Sequence, residues 1–397
     1  MKSMKKLHGS SRSALTSMAV TQQSGRCIVN HPKSVLLQFH PQLNDLGQGK
    51  RLAGGLSVVT QIGNSLWVAN DETLALERLT LKLGRDGEAV VADDHRRFQL
   101  ADFFSLPVLP DKDGGGPEAD LEGLAYDSGY LWLVGSHSLK RKQPGDDETI
   151  GQRQKRLATV VGDGNRFLLG RIPLVQRDGN YWPVKRSDQS GKHCQAACLE
   201  GDDVGNELTE ALRDDPHLAP FLAIPGKDNG FDIEGLAAKD ERLFIGLRGP
   251  VLRGWAVILE IELDKKGKHL KAIGPKQRPY RKHFLSLAGL GIRDLCRQGN
   301  DLLILAGPSM NLDGPVIVFR WPNGACQERE SLVSAEELQR LLDIPYGIGN
   351  DHPEGMTLYT MNGQTGDAVL VVNDAAAESR QPTAYSLLAD VFRLPGN

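Results

Sequence analysis

The chain has 397 residues, 40% of them hydrophobic and 24% charged, with a formal net charge of -3. That balance offers no basic field to nucleic acid and no polybasic stripe to a membrane surface. No apolar run approaches the roughly 20 residues that a membrane-spanning helix needs.

Residues 1–30 start on the basic MKSMKK, and their apolar patch, Ala14 to Val20, is broken by Thr16 and Ser17. They read as a disordered leader, with residues 31–397 as a single domain. Five cysteines (Cys27, Cys194, Cys198, Cys296 and Cys326) are odd in number and scattered, which suits a reducing, cytoplasmic setting better than a disulfide framework.

SVLLQFH, from Ser34 to His40, is a strand candidate that stands alone ahead of the first repeat. Beyond it one short motif keeps returning between apolar runs: AGGLS at Ala53 to Ser57, DLEGLA at Asp120 to Ala125, FDIEGLA at Phe231 to Ala237, GIRDLC at Gly291 to Cys296 and PEGM at Pro353 to Met356. Each copy opens a unit of strand-like segments, and repetition at such spacing marks a repeat architecture. The first unit continues with Leu66–Asn70, Leu74–Leu83 and Arg97–Pro107, and the second with Leu131–Ser138, Asn165–Leu174 and, after an insertion at about 175–217, Leu218–Gly226. Glu207–Leu212 inside the insertion is a short helix candidate. The third unit runs through Arg242–Gly249, Gly254–Leu263 and Lys282–Gly289. The fourth runs through Leu302–Pro308, Gly314–Trp321 and a segment ending at Arg340–Gly347, where Ser334 and Glu337 at capping-box spacing predict a helix over Ala335–Leu342. The fifth, Ala368–Asp374 and Ala384–Leu394, stops one strand short. The expected fold is an all-β propeller of four-stranded blades, five in number, closed by the N-terminal strand pairing into the last blade. Six blades are the alternative, because Gly123 and Gly235 stand nearly twice as far apart as the later copies.

In a propeller the first strand of each blade lines the central channel, so the copies place Gly54, Glu122, Glu234, Arg293 and Glu354 on one ring. The ends of the second strands add Asn70, Asp71 and Glu72, His137 with Lys140 and Arg141, Arg248 and Arg253, and Asn373 and Asp374. Three carboxylates about 5 Å apart repel by roughly 3 kcal/mol per pair at an effective dielectric near 20, so they need a counter-charge or must take up protons. A calcium or magnesium ion held by Glu122, Glu234 and Glu354 is one answer, since the ring offers oxygen ligands only. Arg293 on the same ring is another. A third combines them, with metal, Arg293, Arg248 and Lys140 gripping a phosphate or carboxylate. His137 and Asp71 are the candidates for proton handling, with His352 beside Glu354, and Asn373 and Asp374 complete the ligand contacts. HCQAAC at His193 to Cys198 lacks zinc spacing and reads as a loop. The Gly-rich Asp111–Asp120 and Gly226–Asp232 are not P-loops, and Asp120 and Asp232 are placed to support the ring glutamates.

These residues resemble the bacterial family known as domain of unknown function 3616, through DLEGLA with LWLVGSHSLKR, DPHLAPFLAIPGKDNGFDIEGLA, LFIGLRGPVLRGWAV, GIRDLC with LLILAGPSMNLDGPV, and DHPEGM. The resemblance implies a propeller from a bacterium and no established activity. More distantly the ring is similar to that of five-bladed calcium-dependent apyrases, which implies a central calcium beneath a nucleotide; Glu122, Glu234 and Glu354 match that pattern and Gly54 and Arg293 depart from it. The functional expectation is a divalent-metal-dependent hydrolase of a small anionic ester, most readily a phosphoester. The alternative is a non-catalytic propeller that binds a small ligand or a protein at the same face through a structural Glu/Arg ring.

Overall fold

Strand-prone runs separated by turn residues dominate the chain, and they fold as antiparallel sheets. The computed structural model describes residues 33–83, 90–109, 118–188, 193–360 and 367–395. The leader, Cys27 and most of the Gly-rich stretch before Asp120 lie outside the described residues.

Each copy of the repeated motif opens a first strand: Leu56–Ile62, Leu121–Asp127, Asp232–Lys239, Gly291–Gln298 and His352–Tyr359. The second strands, paired antiparallel to these, are Ser65–Asn70, Tyr130–Gly135, Arg242–Gly249, Asp301–Gly307 and Ala368–Asp374. Third strands follow at Ala75–Leu83, Leu169–Arg177, Trp255–Glu262, Val316–Trp321 and Ser386–Arg393. The fourth strands of the first four sheets are Val90–Gln99, Asn180–Pro183, Arg281–Ser286 and Gln339–Ile344, and in the third sheet Ser331–Val333 adds in parallel outside Arg281–Ser286. The last sheet draws its outer strand from the start of the described chain: Lys33–Gln38 pairs antiparallel with Ser386–Arg393 and parallel with Val90–Gln99.

The second strands are almost continuously apolar because both of their faces are covered. Leu131, Trp132, Leu133 and Val134 are all buried, as are Leu302 to Ala306. Neighbouring sheets share hydrophobic clusters: Trp132 with Leu236 and Ile245, Phe244 with Ile292 and Ile304, Leu305 with Met356 and Val371, Val59 and Leu66 with Val372 and Leu387, and Trp67 with Leu124 and Leu133. Full burial of one such side chain contributes about 1.5–3 kcal/mol. The first strands contact one another in cyclic order, from Leu56–Ile62 through each successive sheet and back from His352–Tyr359 to Leu56–Ile62. The fold is all-β and propeller-like.

Three local expectations are corrected. The outer strand of the second sheet is Asn180–Pro183, and Leu218–Gly226 is instead a 3-10 turn and loop. The hairpin into that strand turns on Asp178 and Gly179, with φ of 49° and 78°, the left-handed geometry of a two-residue turn. Ser334 and Glu337 do form a capping box, but it caps only the single 3-10 turn Ala335–Glu337 before Gln339–Ile344 continues as a strand. The first sheet's outer strand is Val90–Gln99, ahead of the expected Arg97–Pro107. The helix expected at Glu207–Leu212 is present, capped by Asn206.

Candidate functional site

Near the start of every first strand the ladder slips by one residue. Leu56 pairs with Asn70 and Val58 with Ala69, so Ser57 is left without a partner. The same slip leaves out Glu122, Glu234, Arg293 and Glu354. A bulge of this kind bends the strand and re-aims the extra side chain. The residue after the bulge explains the Gly of the motif: a Cβ on Gly123 would stand 2.6 Å from Leu236 Cβ, and one on Gly355 2.9 Å from Val58 Cα, so glycine lets adjacent first strands close up.

The ring position expected for Gly54 belongs to Ser57. Gly54 ends the 3-10 turn Leu52–Gly54 ahead of the strand, and Ser57 donates a 2.7 Å hydrogen bond to the Leu121 carbonyl of the next sheet. Where the fourth sheet has Asp294 in place of glycine, that carboxylate accepts from the backbone N–H of Met356 at 2.7 Å.

The ring opens on a cavity of about 330 Å³ lined by Asp71, Asp120, Glu122, Lys140, Glu234, Arg248, Glu354 and Asp374 among others. A smaller chamber of about 60 Å³ shares Lys227, Arg248, Glu354 and Asp374 with it and adds Arg293 and His352. Part of the wall, including Lys142, Gln143 and Leu157, comes from the segment between the second and third strands of the second sheet, which carries the helix Ile150–Leu157.

Charge is distributed unevenly around the ring. Arg293 bridges Glu234, at 3.0 Å, and Glu354. Arg248 pairs with Glu234 at 2.6 Å and with Asp232. Burial pushes the Glu234 carboxyl up to about 8 while Arg248 and Arg293 pull the other way; Glu354 is also raised by burial against the pull of Arg293. Glu122 and Asp71 differ from these two. Neither side chain has a hydrogen bond or ion pair among the described residues. Burial first, then the surrounding carboxylates, holds both well above the ordinary carboxyl range; Asp120, Glu234, Glu354 and Asp71 act on Glu122, and Asp120, Asp374, Glu354 and Glu72 on Asp71.

The other expected site residues divide. Asp374 lines both chambers, whereas Asn373 is buried beside it, and its Oδ1 has no hydrogen-bond partner among the described residues. Lys140 lines the cavity but is ion-paired with Glu118. His137 is turned to structural work. Its Nδ1 donates to the Gly135 carbonyl at 2.8 Å, its Nε2 accepts from Asn206 Nδ2 at 2.8 Å, and burial lowers its pKa to about 4. With both ring nitrogens committed and the ring outside the cavity lining, it is removed from the proton-handling set. His352 pairs with Asp313 at 3.1 Å. Asp232 supports the ring through Arg248, which joins it to Glu234, whereas Asp120 is paired with Arg166 at 2.8 Å and raises Glu122 by repulsion.

Sequence reasoning missed Arg166 and Lys227. Buried Arg166 binds Glu118 and Asp120 and donates to Ser138 at 2.9 Å. It sits on the 3-10 turn Gly164–Phe167, where no repeat signal points to it. Lys227 is an exposed loop lysine at the junction of the two chambers, with no hydrogen bond or ion pair among the described residues.

The donor set does not fit the expected divalent cation. Glu234 spends both oxygens on Arg248 and Arg293, Glu354 spends one on Arg293, and among the described residues no three His, Cys, Asp or Glu side chains gather as a metal set.

Fold and site together define a propeller-like β-protein with a charged cavity at its axial ring. The chain belongs to the family described as protein of unknown function DUF3616, whose family model matches residues 55–390. No functionally curated protein matches it. Similar solved structures include glutaminyl cyclase from Myxococcus xanthus, at 10% identity over 92% of this chain and 99% of that one, with a TM-score of 0.35. The PQQ-bound aldose sugar dehydrogenase of Streptomyces coelicolor shares 12% identity over 92% of this chain and 99% of its own, with a TM-score of 0.32. At these scores the likenesses carry no argument about activity.

Proposed function

We propose that the chain is a five-bladed propeller, closed by Lys33–Gln38 against Ser386–Arg393, whose axial cavity hydrolyses a small anionic ester by carboxyl acid–base chemistry. The blade count rests on the cyclic contacts of the first strands and on the hydrophobic cluster shared by the first and last sheets. The observation that carries the activity is the pair Glu122 and Asp71: half-buried, unpartnered, facing one cavity and both raised, Glu122 in part by Asp71. Strongly shifted carboxyls in a cleft are the groups that exchange protons near neutral pH. When one of the two has lost its proton, the protonated member is the acid for the leaving oxygen and the ionised member the base for water. Lys227 and Arg248 supply positive charge for the anionic part of the substrate.

The divalent cation expected from the sequence is a competing occupant of the same carboxyls, and so is the calcium implied by the apyrase resemblance. Either would require Arg293 to release Glu354, so no step is routed through a metal. The Glu234–Arg293–Glu354 bridge itself favours a second reading, in which the ring only ties first strands together and the cavity binds without turnover.

The test is hydrolysis of 4-nitrophenyl phosphate and mono-4-nitrophenyl succinate by wild type, Glu122→Gln and Asp71→Asn. The expected result is turnover of at least one ester by wild type and a loss of roughly a hundredfold to ten-thousandfold in kcat in each variant. Turnover undiminished in Glu122→Gln contradicts the assignment. Binding of either ester without turnover supports the second reading. Calcium or magnesium binding to chelated protein that disappears in Glu122→Gln restores the cation.

A further inference from the structure

On the third and fourth sheets, at the opposite end of the first strand from Glu234, a lysine and a cysteine meet. Lys239 ends the strand Asp232–Lys239, and its Nζ lies 2.9 Å from Sγ of Cys326 in the turn Gly324–Cys326 that follows the third strand of the fourth sheet. Sulfur is larger than oxygen, yet this separation equals the roughly 2.9–3.0 Å usual for an N–H···O bond. The pair is also held in place. Arg242 donates to the carbonyls of both neighbours of the cysteine, Ala325 at 3.3 Å and Gln327, and the Cys326 N–H donates to the Asn323 carbonyl at 3.0 Å. Lys239 has little competing attraction, since Asp240 stands 4.0 Å away and is 82% exposed. Both side chains are partly open to solvent, so a small oxidant can reach them.

We infer that Lys239 and Cys326 form an oxidative cross-link, Sγ–O–Nζ, that covalently staples the third sheet to the fourth under peroxide and reopens with thiol. The chemistry balances with two molecules of hydrogen peroxide. The thiol takes one peroxide oxygen to become sulfenic acid and releases water, and the lysine amine takes the oxygen of the second to become a hydroxylamine and releases water. Condensation of the sulfenic acid with the hydroxylamine expels a third water and leaves one bridging oxygen. Sulfur and nitrogen are each oxidised by two electrons as the peroxides are reduced. The observed separation leaves room for a single bridging atom, so the link forms without moving either sheet. A thiol attacks the sulfur and breaks the S–O bond, giving a mixed disulfide on Cys326 and leaving Lys239 as its hydroxylamine; a second thiol frees Cys326, and two more reduce the hydroxylamine to the amine with loss of water.

Treating the whole protein with hydrogen peroxide and mapping the digested peptides by mass tests this. The expected product joins the Lys239 and Cys326 peptides with a gain of one oxygen and a loss of two hydrogens, and dithiothreitol reverses it. Cys326→Ser and Lys239→Arg each abolish the joined peptide. Both variants melt as the reduced wild type does, whereas oxidised wild type melts higher until it is reduced. Three outcomes overturn the proposal: Cys326 oxidised with Lys239 unmodified, a disulfide between Cys326 and another cysteine, or a joined peptide that has lost two hydrogens and gained no oxygen. The link is remote from the cavity, so none of these results depends on ester hydrolysis.

Discussion

The two sides of the axial ring use the same residue types to opposite ends. On the side of the third to fifth sheets every ring charge has a partner: Glu234 meets Arg248 and Arg293, and Glu354 meets Arg293. On the side of the first and second sheets Ser57 replaces a charge, and Glu122 and Asp71 face the cavity unpartnered. A carboxylate held between two arginines joins neighbouring strands. A half-buried carboxyl surrounded by other carboxyls holds its proton more tightly and becomes reactive. Position on the ring is shared by both, so the neighbouring cations decide which role each takes.

The largest expected effect breaks the paired side. Arg293→Met leaves Glu234 and Glu354 buried with a cation lost, and removing one partner of a buried ion pair costs about 3–5 kcal/mol. Chemical denaturation measures it, and adding Glu354→Gln to Arg293→Met should recover part of the loss. A loss below about 1 kcal/mol for Arg293→Met would show that the bridge is incidental.

The next effect belongs to the unpaired side and appears in pH dependence. Glu122 and Asp71 are raised, so the folded chain binds their protons more tightly than the unfolded chain. The stability they contribute is fully present below the unfolded carboxyl value, roughly 4, and is lost as pH rises from there towards the folded values. The slope is at most about 1.4 kcal/mol per pH unit for each group. Glu122→Gln should flatten the fall in denaturation midpoint between acidic and neutral pH and leave the variant more stable than wild type at the alkaline end. A variant that parallels wild type across the range would place the proton elsewhere.

The smallest expected effect is at Ser57. Ser57→Ala removes the hydrogen bond to the Leu121 carbonyl and should cost about 1 kcal/mol without altering the pH profile. A change in the profile would mean that Ser57 acts on the carboxyls.

Much of this was legible in the repeats. The copies at Glu122, Glu234, Arg293 and Glu354 fall on the bulges, because the same strand geometry needs the same small residue or short carboxylate after each of them. Ser57 was misread because Gly54–Gly55–Leu56 looks like Glu122–Gly123–Leu124, while the matching frame is Leu56–Ser57–Val58 against Leu121–Glu122–Gly123. The Asp178–Gly179 hairpin was available as a turn signal and was passed over for the more apolar Leu218–Gly226. His137 drew attention as a strand-end histidine, but Asn206, which occupies its Nε2, lies 69 residues further along the chain. Arg293 was legible as a counter-charge on the ring, but which carboxyls it reaches was not. Pairing depends on how arginines from adjacent strands reach across the axis.

The account turns on the protonation of Glu122, and isotope-labelled NMR of the glutamate side-chain carboxyls, followed through pH in wild type and Glu122→Gln, measures it directly. The expected result is a carboxyl resonance, absent from the variant, that titrates well above the ordinary glutamate value of roughly 4.3. Titration of that resonance at the ordinary value would contradict the account, because the carboxyls around Glu122 would then not hold its proton.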